Sequence, residues 1–382
     1  MRRVGLVRVL GILLMIALIA AACGDDSDDT AVPEPAAEQP AEESTEEPPG
    51  APEDEQADGL PDTAFGAVPE GATVVELPDP DFSVFEGTTL GIISVVTTPG
   101  TLRLTDRLTA CVESNGGSVD YQDIGGINFD QVQPILEGFQ AAGVDVVFNL
   151  GIDMVGREAI ANEFANAGVP FLMFGAVAIP EVVAFDANQK ENGRILASLV
   201  AKEIGGSGDV LIVNSGPLNG ALADRETGME EVFANFPDIT TTTVDPQDFT
   251  IETAQAVTET AFQANPGYAA VIGGFSNYGI GVSLALDTLD TDAFVVTADG
   301  SDEEYDQMQA TDNFLATMDD PHRYVADPAA CTVAASMLAG NPPPGAPGIP
   351  IIGSSILVTN DEVPAEGDFL ESTPRTWYQL SG

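Results

Sequence analysis

Strand-like and helix-like segments alternate along the chain from residue 88 to residue 340. The first strand-like segment, residues 90–96, is mostly apolar and rich in β-branched residues, as strands buried on both faces are. A polar turn at 97–100 follows it, and residues 102–115 then carry apolar side chains at helical spacing. Strands and helices that alternate in this way form βαβ units around a mostly parallel sheet. The sequence therefore predicts an α/β fold.

The alternation runs through two successive halves, and the helix predicted at 192–204 opens the second. Each half has the length of an ordinary domain, roughly 100–150 residues. We therefore predict two similar, doubly wound parallel-sheet lobes. Because ligands of open α/β sheets bind just outside the carboxyl ends of the strands, we expect the turn at 97–100 to border a ligand cleft.

The start of the chain has the features of an export signal. Basic residues precede an apolar run of 14 residues at 9–22, which is too short for a spanning helix of about 20 residues. The run closes on small residues before Cys23 and resembles the lipobox of bacterial lipoproteins. The resemblance implies a signal peptide over residues 1–22, a lipid on Cys23 and an extracytoplasmic protein anchored to the cell membrane. The alternative is an ordinary signal peptide cut near Ala22.

The segment that follows Cys23 is strongly acidic, as is the chain as a whole. Residues 24–86 hold 20 acidic residues and no Lys or Arg, and they are rich in Pro, Ala and Glu. This composition predicts an extended, unfolded tether over residues 23–86, although residues 72–77 could add an edge strand. The whole chain has a formal charge of −49. Nucleic acid is excluded as a partner, because its affinity depends on Lys and Arg.

Two cysteines lie in the predicted folded part, Cys111 and Cys331. In an exported protein they could form a disulfide, or they could be two unrelated buried thiols. Sequence alone leaves both possibilities open, because it does not give the distance between their Cα atoms.

A series of local motifs resembles the type I periplasmic binding proteins, with the ribose-binding group of sugar-binding proteins nearest. The motifs include SVVTTP, AAGVDVVFNL, AGVPFLMF, NGRILASLVAKEIGGSGDVLIV, DRETGMEEVFANFP, VVTADG and LATMDDP, and their order covers residues 88–340. The resemblance implies two lobes joined by a hinge of three crossings that close around a solute. It assigns residues 87–187 and about 321–350 to the first lobe, and residues 188–320 and part of 351–382 to the second.

The resemblance places candidate ligand contacts at strand ends and crossings: Thr97, Thr98, Ala176, Arg225, Ser276, Asn277, Asp299 and Asp320. Asp319 and Asp320 are adjacent in an extended segment, so at most one of them faces the ligand. Ribose-type pockets have two aromatic residues where this chain has Gly100 and Thr101. We therefore do not assume a ribose-like solute.

An aromatic wall could instead be rebuilt from Phe174, Phe275 and Tyr278. Such a wall, together with hydroxyl, amide and carboxylate groups, would suit a small polar solute such as a sugar or polyol.

The function that the resemblance implies is an extracytoplasmic solute-binding lipoprotein that delivers its ligand to the permease of an ABC-type importer. We expect a monomer with no cofactor, no metal and no enzymatic activity. Two alternatives stay open: a ligand-sensing receptor for a membrane signalling protein, and an extracytoplasmic hydrolase. The hydrolase is less favoured because the sequence has no GxSxG elbow and its only histidine, His322, stands alone.

Overall fold

A computed structural model of the chain describes residues 68–77, 79–97, 99–177, 179–289, 291–320, 329–363 and 376–380. The predicted signal peptide, Cys23, Thr98 and His322 lie outside the described residues.

The described residues form two sheets. In chain order the strands are β1 (Thr73–Val74), β2 (Thr89–Ser94), β3 (Ser118–Asp123), β4 (Val146–Leu150), β5 (Phe171–Phe174), β6 (Val183–Ala187), β7 (Gly208–Val213), β8 (Ile239–Val244), β9 (Tyr268–Gly273), β10 (Phe294–Asp299), β11 (Phe314–Asp319), β12 (Ile351–Gly353), β13 (Ile356–Thr359) and β14 (Trp377–Gln379). The α-helices are α1 (Pro99–Ser114), α2 (Val132–Ala142), α3 (Glu158–Ala167), α4 (Gln189–Glu203), α5 (Gly220–Phe233), α6 (Ile251–Ala264), α7 (Ser276–Leu289), α8 (Asp302–Ala310) and α9 (Ala330–Leu338).

The two sheets repeat one topology. The first has the order β1-β14-β12-β6-β5-β4-β2-β3, and the second has the order β13-β11-β10-β9-β7-β8. In each sheet five strands that are consecutive in sequence are parallel and follow the same winding order. The first sheet adds β12 parallel to β6, then β14 and β1 through antiparallel pairs, whereas the second adds β13 antiparallel to β11. Helices connect most of the parallel strands, β5 and β6 being joined without one in the described residues. This architecture confirms the predicted α/β fold class with two similar lobes.

We call the first sheet with α1–α3 and α9 the first lobe, and the second sheet with α4–α8 the second lobe. The chain passes from the first lobe to the second between β6 and α4. It returns between β11 and α9, whose small buried residues pack in the core of the first sheet. Finally, Ser354 and Ser355 link β12 of the first sheet to β13 of the second. The chain thus crosses between the lobes after β6, after β12, and between β11 and α9, where residues 321–328 lie outside the described part.

The folded part begins earlier than the predicted tether boundary at residue 86. Val75 and Phe85 are buried in the core of the first lobe, and β1 pairs with β14 at the sheet edge. Phe85 belongs to a short 3-10 helix at Phe82–Phe85 that Asp81 caps. Apolar residues in this otherwise acidic segment carry enough hydrophobic burial to fold against the sheet.

A disulfide ties the first lobe together. Cys111 in α1 is bonded to Cys331 in α9, with Cα atoms 6.5 Å apart and a sequence separation of 220. The bond connects a helix at the start of the folded part with one near its end, which are neighbours only in three dimensions. An oxidised pair of this kind suits a protein that folds outside the cytoplasm.

Candidate ligand-binding site

A cavity of about 180 Å³ lies between the lobes, at the carboxyl ends of their parallel strands. From the first lobe it is lined by Val95, Val96, Thr101, Leu104, Arg107, Leu150, Gly151, Phe174 and Gly175. From the second it is lined by Gln189, Asn219, Ala221, Leu222, Arg225, Phe249, Phe275, Ser276, Asn277, Asp299, Gly300 and Ser301. A cavity needs about 10–15 Å³ of volume to hold one water molecule, so this cavity has room for on the order of a dozen water-sized groups.

Arg225 is the centre of the polar side of the cavity and is only 3% exposed. Its Nε donates to Oε1 of Gln189 (2.5 Å) and its Nη1 to the carbonyl of Gly274 (2.7 Å). Its Nη2 donates to Oδ1 of Asp299 (2.8 Å) and to Oδ2 of Asp320 (2.7 Å). Four partners from different elements therefore fix the guanidinium at one place at the base of the second lobe.

Two tightly packed helices set the position of Arg225. A Cβ atom added to Gly193 of α4 would lie 2.0 Å from the carbonyl oxygen of Arg225, and one added to Gly228 of α5 would lie 2.0 Å from that of Lys190. Only glycine allows the two backbones to come this close. The helix pair therefore holds Arg225 under the strand ends, where Gln189 at the start of α4 meets it.

Asp299 presents a carboxylate to the same cavity from the last position of β10. Its φ of 113° is unusual for a residue with a side chain, and such conformations cost about 1–3 kcal/mol and are found mostly at functional sites. Oδ2 accepts from the amide of Ser276 at the start of α7 (3.3 Å) while Oδ1 accepts from Arg225. The strained backbone thus turns the carboxylate toward both the guanidinium and the cavity.

Burial raises the pKa values of two acidic side chains near Arg225 and Asp299, those of Asp186 and Glu304. Asp186 in β6 lies close to Arg225, and burial raises its pKa from 3.8 to about 7, against the hydrogen bond from Gln189. Burial also raises the pKa of Glu304 well above its ordinary value, with the charge of Asp299 adding to the effect. Burial alone would lower the pKa of Arg225, but Asp299 and Asp320 outweigh it and raise that pKa. Arg225 is therefore a permanent cation among carboxyl groups.

Side chains and backbone groups also bridge the two lobes at the rim of the cavity. Asn219 caps α5 through its Oδ1, which accepts from Ala221 and Leu222, and its Nδ2 donates to the carbonyls of Gly151 and Gly175 in the first lobe (both 3.1 Å). Asp153 of the first lobe accepts from the amide of Gly220 across the cleft (2.9 Å). These bonds join the two lobes at the rim of the cavity.

The cavity contains half of the candidate contacts: Arg225, Ser276, Asn277 and Asp299 line it. The other described candidates lie elsewhere, since Thr97 is exposed and bonded to Tyr121 and Asp123, and Ala176 packs in the hydrophobic core.

The adjacent aspartates point in different directions, as expected. Asp320 is buried and holds Arg225, Asn192 (2.5 Å) and Ser355 (3.0 Å), while Asp319 accepts from the hydroxyl of Tyr305 (2.6 Å). Neither aspartate lines the cavity. Asp320 instead holds Arg225 and the segment between β12 and β13, to which Ser355 belongs.

The aromatic side chains at the cavity differ partly from those we predicted. Phe174 and Phe275 line it, whereas Tyr278 is buried behind Phe275, with ring centroids 4.3 Å apart. Phe249 lines it as well, and its ring is 6.0 Å from that of Phe275. Sequence reasoning missed Phe249 and Gln189. In the sequence, Phe249 could have been found as the single aromatic residue of the polar loop PQDFT. Gln189 has no such signal, because a polar residue at the start of a helix is common.

Two features of other protein classes are missing from the described residues. No group of three or more His, Cys, Asp and Glu side chains there could hold a metal ion. No helix of the described part has both the length and the apolar character needed to cross a membrane.

Two similar α/β lobes around a polar-edged cavity define a two-lobed binding protein. Residues 103–342 match the family model for the periplasmic binding protein domain. Because the match spans more than half of the chain, this protein belongs to that family, whose members are extracytoplasmic solute-binding proteins and not enzymes. A search of curated protein sequences finds no significant match.

Solved structures share the fold at low sequence identity. An ABC transporter periplasmic solute-binding protein from Actinobacillus succinogenes with bound D-allose is 17% identical, with a TM-score of 0.64 over 73% of this chain and 99% of that one. A solute-binding protein from Bacillus halodurans with bound myo-inositol is 15% identical, with a TM-score of 0.64 over 73% and 96%. The fructose-binding periplasmic domain of a hybrid two-component system is 16% identical, with a TM-score of 0.64 over 72% and 92%.

Proposed function

We propose that this protein binds one small sugar or polyol between its lobes and delivers it to the permease of an ABC-type importer. The observation that carries the proposal is the cavity between the lobes with Arg225 and Asp299 at its polar edge. A guanidinium and a carboxylate side by side supply donors and acceptors for adjacent hydroxyl groups. The D-allose and myo-inositol complexes of structurally similar proteins support this class of solute.

Ligand capture would work through the equilibrium between open and closed lobes. A solute that contacts both lobes favours the closed arrangement by the difference between its affinities for the two states. Asn219 and Asp153 add hydrogen bonds that exist only when the lobes meet. The closed, loaded monomer would then be the form that the permease recognises.

The start of the chain supports an anchored receptor. We propose that Cys23 is lipidated after removal of residues 1–22, and that the acidic segment up to the first folded residues acts as a tether. Cys23→Ser should release the protein from the membrane fraction, while binding of the solute is unchanged. Retention of the Cys23→Ser protein in that fraction would contradict the anchor and leave the binding proposal intact.

A thermal-shift screen with sugars, polyols, amino acids and nucleosides tests the binding function. We expect a sugar or polyol to raise the Tm, and Asp299→Asn to reduce that rise strongly. Asp312→Asn is the matched control, since Asp312 is exposed on the second lobe away from the cavity. If no sugar or polyol stabilises the folded protein, the proposal fails.

A sensory role is the second candidate, because the fructose-binding neighbour is the periplasmic domain of a two-component system. The same cavity would then pass its closed state to a signalling membrane protein. Deletion of the gene distinguishes the two roles. Loss of uptake of the labelled solute supports transport, whereas intact uptake with a lost transcriptional response supports sensing.

A further inference from the structure

The two sides of the cavity differ in chemistry, and from this difference we infer the kind of sugar that fits. We propose that the ligand is a deoxy sugar, or an equally hydroxyl-poor polyol, whose apolar edge faces the ends of β2, β4 and β5 in the first lobe. This inference rests on the proposed function and specifies its substrate class.

The first-lobe wall consists mainly of side chains that cannot form hydrogen bonds. Val95, Leu150 and Phe174 are 9%, 5% and 1% exposed, and Val96 is half-buried beside them. They follow or end the three central strands of the sheet, where ligands of this fold class lie. A solute in the cavity therefore meets apolar side chains at these strand ends.

Two polar side chains border this wall from α1. The hydroxyl of Thr101 donates to the carbonyl of Val96 (2.9 Å), so its proton is already used within the protein. Arg107 is half-buried and lines the cavity beside the wall, away from the strand ends themselves. The strand ends themselves thus remain aliphatic or aromatic, and a ligand hydroxyl directed at them would lose water without gaining a side-chain partner.

On the second-lobe side, fewer polar groups are available than the number of polar residues suggests. Gln189 donates to Asp186 (2.5 Å) and accepts from Arg225. Asn219 uses its amide on the first-lobe carbonyls and its oxygen on the α5 cap. The polar recognition is therefore concentrated around Arg225 and Asp299, near the ends of β9 and β10.

A ligand that fits both sides carries hydroxyls along one edge and a methyl or methylene group on the opposite edge. Replacing that apolar group with a hydroxyl would bury an unpaired polar group against the wall. Such a hydroxyl weakens binding by about tenfold to a hundredfold. Aliphatic walls do not reject a hydroxyl more strongly than this, so the parent sugar is expected to bind measurably.

The test is isothermal titration with sugar pairs that differ by one hydroxyl. The pairs are D-fucose and D-galactose, L-rhamnose and L-mannose, 6-deoxy-D-glucose and D-glucose, and 2-deoxy-D-glucose and D-glucose. We expect at least one deoxy member to bind about tenfold more tightly than its parent, or tighter still. In Val96→Thr this preference should shrink several-fold, because the wall gains a hydroxyl of nearly the same shape.

Val119→Thr is the matched control, since Val119 is a half-buried valine of β3 that does not line the cavity. The Tm of each variant shows whether it is folded, and Val95→Thr replaces Val96→Thr if that variant is not. If the parent sugars bind as tightly as the deoxy members in every pair, the inference is overturned while the proposed function stands. If no member of any pair, and no other sugar or polyol, binds to the folded protein, the proposed function fails as well.

Discussion

The two lobes have the same strand order, yet their strand ends present different chemistry to the cavity between them. In the first lobe the strand ends carry Val95, Leu150 and Phe174, and in the second they carry Asp299 and, beneath it, Arg225. The shared topology decides where a ligand lies, because both sets of carboxyl ends meet at the cleft. The side chains at equivalent places decide what is bound. Similar folds therefore do not imply similar roles for the two halves of one site.

The lobes also differ in what stabilises them. The first lobe has a disulfide between α1 and α9, whereas the second has a buried guanidinium, that of Arg225. Asp299 and Asp320 pair with it, and Asp186 lies near it at the end of β6 of the first lobe. A covalent link stabilises a fold but adds no polar group to a binding site. A buried ion cluster supplies polar groups as well, and the protein loses stability when one charged partner is removed, because the other charge stays buried and unpaired.

Removing the guanidinium should have the largest effect. Arg225→Met leaves the surrounding carboxyl groups buried without their cation, and we expect a loss of about 3–5 kcal/mol of unfolding free energy. Urea denaturation measures it. Arg194→Met is the matched control, because Arg194 pairs with Glu191 and Glu231 at a side chain that is 37% exposed, and it should cost less than about 1 kcal/mol. Equal losses would show that Arg225 is not the centre of the second lobe.

Removing the covalent link is the parallel change in the first lobe. The double variant Cys111→Ser, Cys331→Ser should lose about 2–5 kcal/mol of stability, because the bond closes a long loop in the unfolded chain. Ligand affinity should change little, since neither cysteine lines the cavity. Urea denaturation and titration of the double variant check both statements. Affinity that falls as far as in Arg225→Met would mean that the two lobes do not divide their roles as proposed.

The pH dependence should come from the acid beside the second-lobe cluster. Since the pKa of Asp186 rises from 3.8 to about 7 on folding, the folded state binds this proton more tightly within that window. Stability is therefore highest below the window, falls as the pH rises through it, and levels off above about pH 7.

Asp186→Asn should remove this share of the dependence, roughly 2–3 kcal/mol between pH 5 and pH 8. Urea midpoints of both proteins at the two pH values are the measurement. An unchanged slope in the variant would assign the dependence to other acids, of which Glu304 is the first candidate.

The smallest effect is expected where the lobes touch. Asn219→Ser keeps a residue that can cap α5 but is too short to reach the carbonyls of Gly151 and Gly175. We expect solute affinity to fall about tenfold from the loss of two hydrogen bonds, with stability almost unchanged. Asn219→Ala removes the cap as well and should lose about 1 kcal/mol of stability in addition. If both variants bind as the parent does, these bonds do not contribute to closure.

Much of the fold follows from local patterns, and less of the site does. Buried strands and amphipathic helices have periodic signals that predicted both sheets, and the motif VVTADG placed Asp299 at a strand end. Which side chains then face the cavity depends on turns that sequence does not specify. Thr97 turns outward to Tyr121, and Asp320 turns behind Arg225. The start of the folded part was also predicted too late in the chain. Its signal is weak, because only two buried apolar residues, Val75 and Phe85, mark it within a strongly acidic segment.

Hydrogen exchange with and without the sugar or polyol that raises the Tm most in the thermal-shift screen tests the central claim most directly. Binding between the lobes predicts added protection at the ends of β2 and β4 in the first lobe and of β9 and β10 in the second, together with the start of α5. The remaining strands of both sheets should be nearly unaffected. Protection confined to one lobe, or located away from these strand ends, would contradict a ligand site formed by both halves.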